Sequence, residues 1–218
     1  MRILITAGAT QEPIDPVRFI TNASSGKMGI ALAEEAKRRG HNITIIAGIM
    51  QVKVPKNIKT KTIKARTAKE MIDTTLKELK NNYDVFISSA AISDYAPIPG
   101  KEKIKSGKEE LILKLKPTEK LTKIVKEKFP LVFVAAFKAE HSLSDEHLID
   151  AAYKKLKGEN LNLIIANDIS KDVFGSNSNE VFIIDKNKNA IHVPRNLKSE
   201  IAKKIFDVIE DKMKLKQN

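Results

Sequence analysis

Short apolar runs alternate with longer amphipathic stretches along most of the chain. We predict strands at residues 2–7, 42–47, 58–64, 84–88, 131–137 and 162–166. We predict helices at residues 27–39, 67–81, 119–128, 145–157 and 196–214. Strands such as Val85-Phe86-Ile87 are apolar on both faces, as in a parallel sheet that helices cover on both sides. The pattern therefore predicts an α/β fold with a mostly parallel sheet.

The pattern changes after about residue 170, where two apolar runs, 180–185 and 190–193, predict a β-hairpin. An isolated hairpin is only marginally stable, so we expect Val181, Ile183 and Ile191 to be buried against the main sheet or against another subunit. We favour a role of this hairpin in a homodimer. No linker interrupts the sequence, which predicts one domain (1–218) with an α/β core (1–170), the hairpin (171–195) and a C-terminal helix (196–218).

Composition excludes several classes of protein. No run approaches the roughly 18 apolar residues that a membrane span needs. The absence of cysteine excludes disulfides, a cysteine nucleophile and thiolate metal sites, and the four histidines have no metal-ligand spacing. Because Met1 leads directly into the first predicted strand, we expect no signal peptide and a cytoplasmic protein.

The net charge of +12 is compatible with two kinds of partner, nucleic acids and small anions. Lysines are spread along the whole chain and mixed with acidic residues, while three tyrosines and no tryptophan leave few stacking platforms for bases. We therefore expect a lysine-rich surface that attracts anionic small molecules, and no specific nucleic-acid binding.

An unusually long connection joins the first predicted strand to the first helix. Strand-to-helix loops of about 2–6 residues are typical, whereas this one extends from Gly8 to Gly26. Free backbone N–H groups and the positive end of a helix make an anion site, so Gly8, Ser24, Gly26 and Gly29 predict a phosphate cradle. The alternative is a serine N-cap with turn glycines and no ligand.

Two common phosphate-binding motifs do not fit this loop. A P-loop requires Ser or Thr after Gly-Lys, but Met28 follows Gly26-Lys27. The dinucleotide fingerprint G-x-G-x-x-G has Ser24 in place of its first glycine. The second strand also lacks the acidic residue that would hold a ribose. An ordinary NAD-binding site is therefore disfavoured.

Five segments in chain order carry a resemblance to a known family. They are the loop 8–29, Ser89-Ala90-Ala91-Ile92-Ser93-Asp94-Tyr95, Lys103-Ile104-Lys105 with a strand expected at 111–113, Phe137-Lys138-Ala139-Glu140, and Ile165-Ala166-Asn167-Asp168. Together they resemble phosphopantothenoylcysteine synthetase, the ligase that joins cysteine to 4′-phosphopantothenate in coenzyme A synthesis. The resemblance covers residue 3 to about residue 185 and implies a Rossmann-like fold.

The resemblance also implies the reaction and its partners. The substrates would be 4′-phosphopantothenate, L-cysteine and a nucleoside triphosphate, either CTP or ATP, with Mg²⁺ as cofactor. An acyl-nucleotide would form with release of pyrophosphate, and the cysteine amine would then displace the nucleotide. A homodimer whose partner completes the site is implied, as is a flavin-dependent decarboxylase that uses the product, either as a separate protein or as a domain fused ahead of this one.

Individual roles follow from the matched motifs. Asn22 and Lys103 are the implied catalytic residues, and Asp94 is the implied Mg²⁺ ligand. Substrate contacts are implied for Asn22, Ala90, Ala91 and Asp94. Nucleotide contacts are implied for Gly8, Ser24, Gly26, Gly29, Asp94, Lys103, Phe137, Lys155 and Asn167, with Lys154 or Lys157 as alternatives to Lys155.

The sequence departs from the family pattern at Ser106, where many members have lysine, so that role would pass to Lys105 or Lys108 or would be absent. Glu12, Asp15 and Arg18 receive no direct role and could order the long loop by ion pairing. Two other functions remain open at this point. They are an NAD(P)H- or flavin-dependent reductase and a non-catalytic module that binds nucleotides or nucleic acid.

Overall fold

The structure is a computed structural model, which describes residues 1–58, 60–107, 109–171 and 175–214. Lys108, one of the two lysines suggested to replace Ser106, lies outside the described residues, as do residues 215–218 of the predicted C-terminal helix. None of the helices in the described part of the chain is long and apolar enough to cross a membrane.

The chain forms twelve strands and five helices within the described residues. The strands are β1 (Arg2–Ala7), β2 (Gln11–Pro13), β3 (Phe19–Thr21), β4 (Asn42–Ala47), β5 (Lys61–Lys64), β6 (Val85–Ser88), β7 (Tyr95–Pro97), β8 (Leu115–Pro117), β9 (Phe133–Glu140), β10 (Leu163–Asp168), β11 (Ser178–Asp185) and β12 (Ala190–Leu197). The helices are α1 (Lys27–Arg38), α2 (Ala68–Leu79), α3 (Leu121–Lys128), α4 (Asp145–Gly158) and α5 (Lys198–Lys214).

Eight strands form the main sheet in the order β12-β11-β10-β9-β6-β1-β4-β5. Six neighbouring strands of this sheet are parallel to one another, namely β10, β9, β6, β1, β4 and β5. Their order is that of a Rossmann fold, in which the chain reverses its direction across the sheet between β1 and β6. Ligands of such sheets bind at the carboxyl ends of the strands beside this reversal.

Helices cover both faces of the sheet, as the sequence predicted. Alternate residues of β1 point to opposite sides, so Ile3 and Ile5 are buried with α1 and α5, whereas Leu4 is buried with α2 and α4. All three side chains are completely buried. The α/β, Rossmann-like prediction is therefore confirmed.

Several element boundaries differ from the prediction. The predicted strand 58–64 begins only at Lys61, because a 3₁₀ turn occupies Lys56–Ile58. The strand expected at 111–113 lies instead at Leu115–Pro117, and β12 continues to Leu197, so α5 begins two residues later than predicted. Two small hairpins, β2–β3 and β7–β8, were not predicted.

The C-terminal hairpin adds to the edge of the main sheet, where β11 pairs with β10 in antiparallel orientation. Val181 and Ile183 are 0% and 1% exposed, so their own chain already buries them, whereas Ile191 is 39% exposed. The hairpin therefore packs on the main sheet. Of the two alternatives, the main sheet or a second subunit, the main sheet buries Val181 and Ile183.

Candidate active site

A cleft of about 600 Å³ lies above the carboxyl ends of β6, β9 and β10 and beside the beginning of α1. Ten of the predicted site residues line it, namely Asn22, Ser24, Gly26, Gly29, Ala90, Ala91, Asp94, Phe137, Lys155 and Asn167. These residues come from five separate segments of the sequence, and the fold brings them to one place. Gly8 and Lys103 are the two predicted residues that do not line the cleft.

The beginning of α1 faces this cleft without a side-chain cap. Its N-cap residue is Gly26, in a left-handed conformation, and no side chain provides the capping hydrogen bond. By contrast, Thr67 caps α2 and Ser144 caps α4. The hydroxyls of Ser24 and Ser25 accept from the amides of Gly26 and Lys27 at 3.4 Å, but neither serine is the N-cap residue, so the helix start remains suited to an anion.

Glycine is required near this helix start for packing. A Cβ atom on Gly29 would lie 2.5 Å from the Cβ of Ala7 and 2.9 Å from the Oγ of Ser89. Only glycine at this position lets α1 approach β1 so closely, which brings the helix start down to the sheet. Gly29 therefore shapes the cleft through close contact between helix and strand.

Gly8 lies where the chain leaves β1 and crosses the end of β4. Its φ is +84°, and a Cβ atom would lie 2.5 Å from the carbonyl oxygen of Ile49. The next residue, Ala9, donates to the Ile49 carbonyl at 2.9 Å and accepts from the Ile49 amide at 2.8 Å. The end of β4, where Rossmann enzymes hold the ribose of a dinucleotide, is thus covered by the chain itself.

Asn22 joins two of the predicted substrate segments. Its Nδ2 donates to the carbonyl of Ala91 at 3.2 Å, although the two residues are 69 positions apart in the sequence. The Ala91 amide in turn donates to the carbonyl of Gly8 at 2.8 Å. The exposed Asn22 amide therefore lies beside the Ala90-Ala91 backbone at the end of β6.

Asp94 pairs with a lysine that was not predicted. Its Oδ1 lies 2.5 Å from the Nζ of Lys120, and both side chains line the cleft. In the described residues no cluster of three or more acidic, histidine or cysteine side chains could enclose a metal ion. One exposed carboxylate fits Mg²⁺ that arrives with nucleotide phosphates, since Mg²⁺ is commonly bound by few carboxylates plus phosphate oxygens.

Five lysines line the cleft within the described residues, and only Lys155 among them was predicted. Lys155 lies 2.7 Å from Glu159 and is the one of the three candidates, Lys154, Lys155 and Lys157, that lines the cleft. The other four are Lys27, Lys120, Lys138 and Lys198. Lysines outnumber acidic residues in the lining, which suits a highly anionic ligand.

The four lysines of the cleft that were not predicted differ in how clearly the sequence signals them. Lys27 follows Gly26 directly, and Lys138 lies inside a motif that carried the resemblance, so proximity to a motif could have identified both. Lys198 offers no local signal, because the β11–β12 hairpin alone brings the first residue of α5 to the cleft. Lys27 and Lys198 donate to the carbonyls of Gly175 and Ser176, both at 2.5 Å.

Phe137 and Asn167 lie near the carboxyl ends of the adjacent strands β9 and β10. The residue after Asn167, the buried Asp168, accepts hydrogen bonds from the hydroxyl and amide of Ser170 and from the amides of Ser142 and Leu143. The Ser170 hydrogen bonds are the main cause that lowers the pKa of Asp168 to about 2. Asp168 is therefore ionised at neutral pH and fixes the loops that follow both strands.

Lys103 is exposed and lies outside the cleft lining. Its neighbour Ile104 is bound through its backbone to Asp15 and Arg18 in the long loop. Glu12 of the long loop is buried, and it accepts a hydrogen bond from the Ala68 amide at the start of α2. Glu12 and Asp15 therefore order the long loop, Glu12 through a backbone amide and Asp15 partly by ion pairing with Arg18.

Comparison with known proteins identifies the family of this chain. Residues 1–213 match the family model described as the DNA/pantothenate metabolism flavoprotein C-terminal domain. The chain is 45% identical over 212 residues to the coenzyme A biosynthesis bifunctional protein CoaBC of Thermococcus kodakarensis, covering 96% of this chain and 51% of that protein. It is 41% identical over 213 residues to the corresponding Methanocaldococcus jannaschii protein, covering 98% and 51%.

A crystal structure of the C-terminal domain of CoaBC has a TM-score of 0.81 and 33% sequence identity to this chain, and covers 100% of this chain and 96% of the other. The chain spans about half the length of the curated relatives it matches. Because the family model matches almost every residue, this protein belongs to the DNA/pantothenate metabolism flavoprotein C-terminal domain family.

Proposed function

We propose that this protein is a phosphopantothenate–cysteine ligase that works through an acyl-nucleotide. The observation that carries the proposal is the single cleft that brings together the uncapped start of α1, the Asn22–Ala91 contact and five lysines. The relatives named for coenzyme A biosynthesis support it, and they are about twice the length of this chain.

In the first step, the carboxylate of 4′-phosphopantothenate attacks the α-phosphorus of the nucleoside triphosphate. An O–P bond forms, the bond to the β-phosphate breaks, and pyrophosphate leaves. The backbone amides at the start of α1 and the cleft lysines offset the phosphate charge. Asp94 would hold Mg²⁺ that arrives with the nucleotide, and that ion would supply further charge neutralisation.

In the second step, the amine of cysteine attacks the acyl carbon and the nucleoside monophosphate leaves. Negative charge develops on the acyl oxygen, and a neutral amide such as Asn22 can donate to it without titrating. For this the Asn22 Nδ2 must exchange its present acceptor, the Ala91 carbonyl, for the substrate. Ala90 and Ala91 have short side chains and leave room for the substrate beside the backbone.

Lys103 is proposed to act in the first step, where its charge opposes the phosphates. It does not line the cleft of its own chain, which is consistent with the proposal that a second subunit completes each site. Exposed apolar side chains near this loop support such a contact. Seven of the eleven large exposed apolar residues in the described chain lie in or next to the two small hairpins, namely Val17, Phe19, Tyr95, Ile98, Leu111, Ile112 and Leu115.

The test is turnover with CTP or ATP, 4′-phosphopantothenate and cysteine, with release of pyrophosphate measured directly. We expect pyrophosphate only when phosphopantothenate and nucleotide are both present, and we propose CTP as the preferred nucleotide with ATP as the alternative. Release of orthophosphate would instead indicate an acyl-phosphate and contradict the mechanism. NADPH binding or a bound flavin chromophore would favour the reductase, for which the covered end of β4 offers no ribose site.

A further inference from the structure

The long loop contains one completely buried carboxylate, that of Asp15, whose side chain is 0% exposed. Its Oδ1 accepts the amides of Val17 and Arg18 at 2.8 and 2.7 Å. Its Oδ2 accepts the Nε and Nη2 of Arg18 at 3.0 and 2.6 Å and the amide of Ile104 at 3.1 Å. Five donor atoms, two of them in the Arg18 guanidinium, therefore satisfy a carboxylate that is buried although its arginine partner is 40% exposed.

Burial alone would raise the pKa of Asp15, but the hydrogen bonds from the Ile104 amide, the Arg18 guanidinium and the local amides outweigh it. They hold the pKa of Asp15 well below its ordinary value. Asp15 is therefore a permanent anion at neutral pH.

Asp15 and Arg18 together hold a distant segment, which we call the lysine loop (residues 100–107). The Arg18 Nη2 donates to the Ile104 carbonyl at 2.6 Å, so both backbone groups of Ile104 are bound by the same ion pair. The amide of Gly100 also donates to the carbonyl of Ile14 at 2.8 Å. These hydrogen bonds hold the backbone between Lys103 and Lys105.

The same ion pair lies in the turn between β2 and β3, and Asn22 directly follows β3. Asn22 is held by other contacts, namely its own hydrogen bond to the Ala91 carbonyl and that of the adjacent Thr21 hydroxyl to the Thr10 carbonyl, so the ion pair supports the lysine loop without holding Asn22.

We propose that Asp15 is a positioning residue that, through Arg18 and Ile104, holds the lysine loop in the conformation required for acyl-nucleotide formation. The inference rests on the proposed ligase function and adds to it a residue that does not touch the substrates. If Asp15 merely stabilised the fold, its loss would impair both chemical steps. If Asp15 positions the lysine loop, its loss would impair the first step alone, the formation of the acyl-nucleotide.

The test is Asp15→Asn, which is nearly isosteric and keeps one carbonyl oxygen for the amides of Val17 and Arg18. It removes the charge that holds Arg18 and an acceptor for Ile104. We expect acyl-nucleotide formation, measured by rapid quench with labelled nucleotide, to fall by about 10²-fold, as for a misplacement of roughly 1 Å. Conversion of chemically prepared acyl-nucleotide with cysteine should remain near the wild-type rate. Equal losses in both steps, or none, would overturn the proposal.

A second arm combines Asp15→Asn with Lys103→Gln. If Asp15 acts through the lysine loop, the double variant should form acyl-nucleotide no more slowly than Lys103→Gln alone. Losses that multiply would show that Asp15 acts by another route.

Hydrogen–deuterium exchange tests the contact independently of activity. Amide exchange across residues 100–107 should increase in Asp15→Asn and stay unchanged in Glu12→Gln. The control removes another buried acid of the same loop, but that acid binds Ala68 instead of the lysine loop. Unchanged exchange in Asp15→Asn would refute the inference, whereas a wild type that forms no acyl-nucleotide would refute the proposed ligase function.

Discussion

At the scale of single residues, Asn22 has the most specific environment for a role in chemistry. Its side chain is exposed, lines the cleft and donates to the Ala91 carbonyl at 3.2 Å. A carboxylate at this position could neither donate to that carbonyl nor stabilise an oxyanion. The contact with Ala91 therefore needs a hydrogen-bond donor at this position.

We predict that Asn22→Asp forms acyl-nucleotide but converts it slowly, because a negative charge replaces the donor near the developing oxyanion. The second step should slow by roughly 10²–10³-fold, as when one oxyanion donor is removed. Rapid quench with labelled nucleotide would show the intermediate accumulating. Because Asn22 is exposed, the unfolding temperature should not change. Turnover like that of the wild type would mean that Asn22 is only a loop residue.

Most of the site residues predicted from the sequence line the cleft, but the sequence could not give the reason for each residue type. Gly29 was predicted for its backbone near phosphate, yet its closest constraint is the Ala7 side chain of β1. Asp15 is a similar case, since its partner Ile104 lies 89 positions away. Contacts between remote segments depend on the three-dimensional fold, and no local pattern in one sequence encodes them.

At the scale of elements, an ion-pair network joins α1 to α5. Glu35, although only 5% exposed, binds Arg38 at 2.6 Å and Arg39 at 2.7 Å. Arg39 also binds Asp207 at 2.7 Å and Glu210 at 2.8 Å, both on α5. The Arg38 hydrogen bond is the main cause that lowers the pKa of Glu35 from 4.5 to about 2, and Arg39 adds to it.

We predict that this network weakens at acid pH. Because the folded pKa of Glu35 is lower than its unfolded value, the contribution of Glu35 is complete above about pH 4.5 and is lost as the pH falls toward 2. Glu35→Gln should lower the free energy of unfolding at pH 7 by roughly 2–3 kcal/mol, since it leaves two arginines without their shared partner.

Urea unfolding at pH 7 and at several values down to pH 3 would check this, and the difference between Glu35→Gln and wild type should shrink with the pH. The neighbouring Glu34 is exposed, so Glu34→Gln is a matched control that should change stability by less than about 0.5 kcal/mol. A difference that stays constant across the pH range would contradict the assignment.

Elements long enough to show a hydrophobic period were predictable from the sequence, and shorter elements were not. All five helices and the six parallel strands were expected near their observed positions. The strands β2, β3, β7 and β8 have three residues each, which is too few to establish a period of two, and β2, β7 and β8 end in proline. They form because distant parts of the chain hold their loops in place.

At the scale of the whole molecule, the exposed apolar residues are unevenly distributed. Ile112 is 80% exposed and lies between the lysine loop and β8. Leu131 is 89% exposed and lies just before β9, at the amino end of that strand. If the two small hairpins meet a second subunit, Ile112 belongs to that contact and Leu131 does not. Burying such groups is a common basis of dimer stability.

We predict a homodimer that Ile112→Asp weakens and Leu131→Asp does not. Sedimentation at low micromolar protein should show dissociation of the first variant together with loss of ligase activity, because the partner is proposed to complete the site. A substitution in the C-terminal hairpin such as Ile183→Asp would not test the dimer contact, because Ile183 is buried in the main sheet of its own chain. A monomeric wild type with full activity would exclude the dimer as a requirement.

The contact of α1 with α5 also has a consequence for the order in which the cleft is assembled. The Arg39–Glu210 ion pair spans 171 residues, and Lys198 of α5 forms part of the cleft wall. On the ribosome, a nascent chain can complete β1 and α1 long before α5 has been synthesised. Contacts of such sequence separation form late and slow the folding of a domain. If nucleotide binds in this cleft as proposed, its complete site exists only after the two ends of the domain have met, and we expect nucleotide to stabilise the folded protein without assisting the early steps of folding.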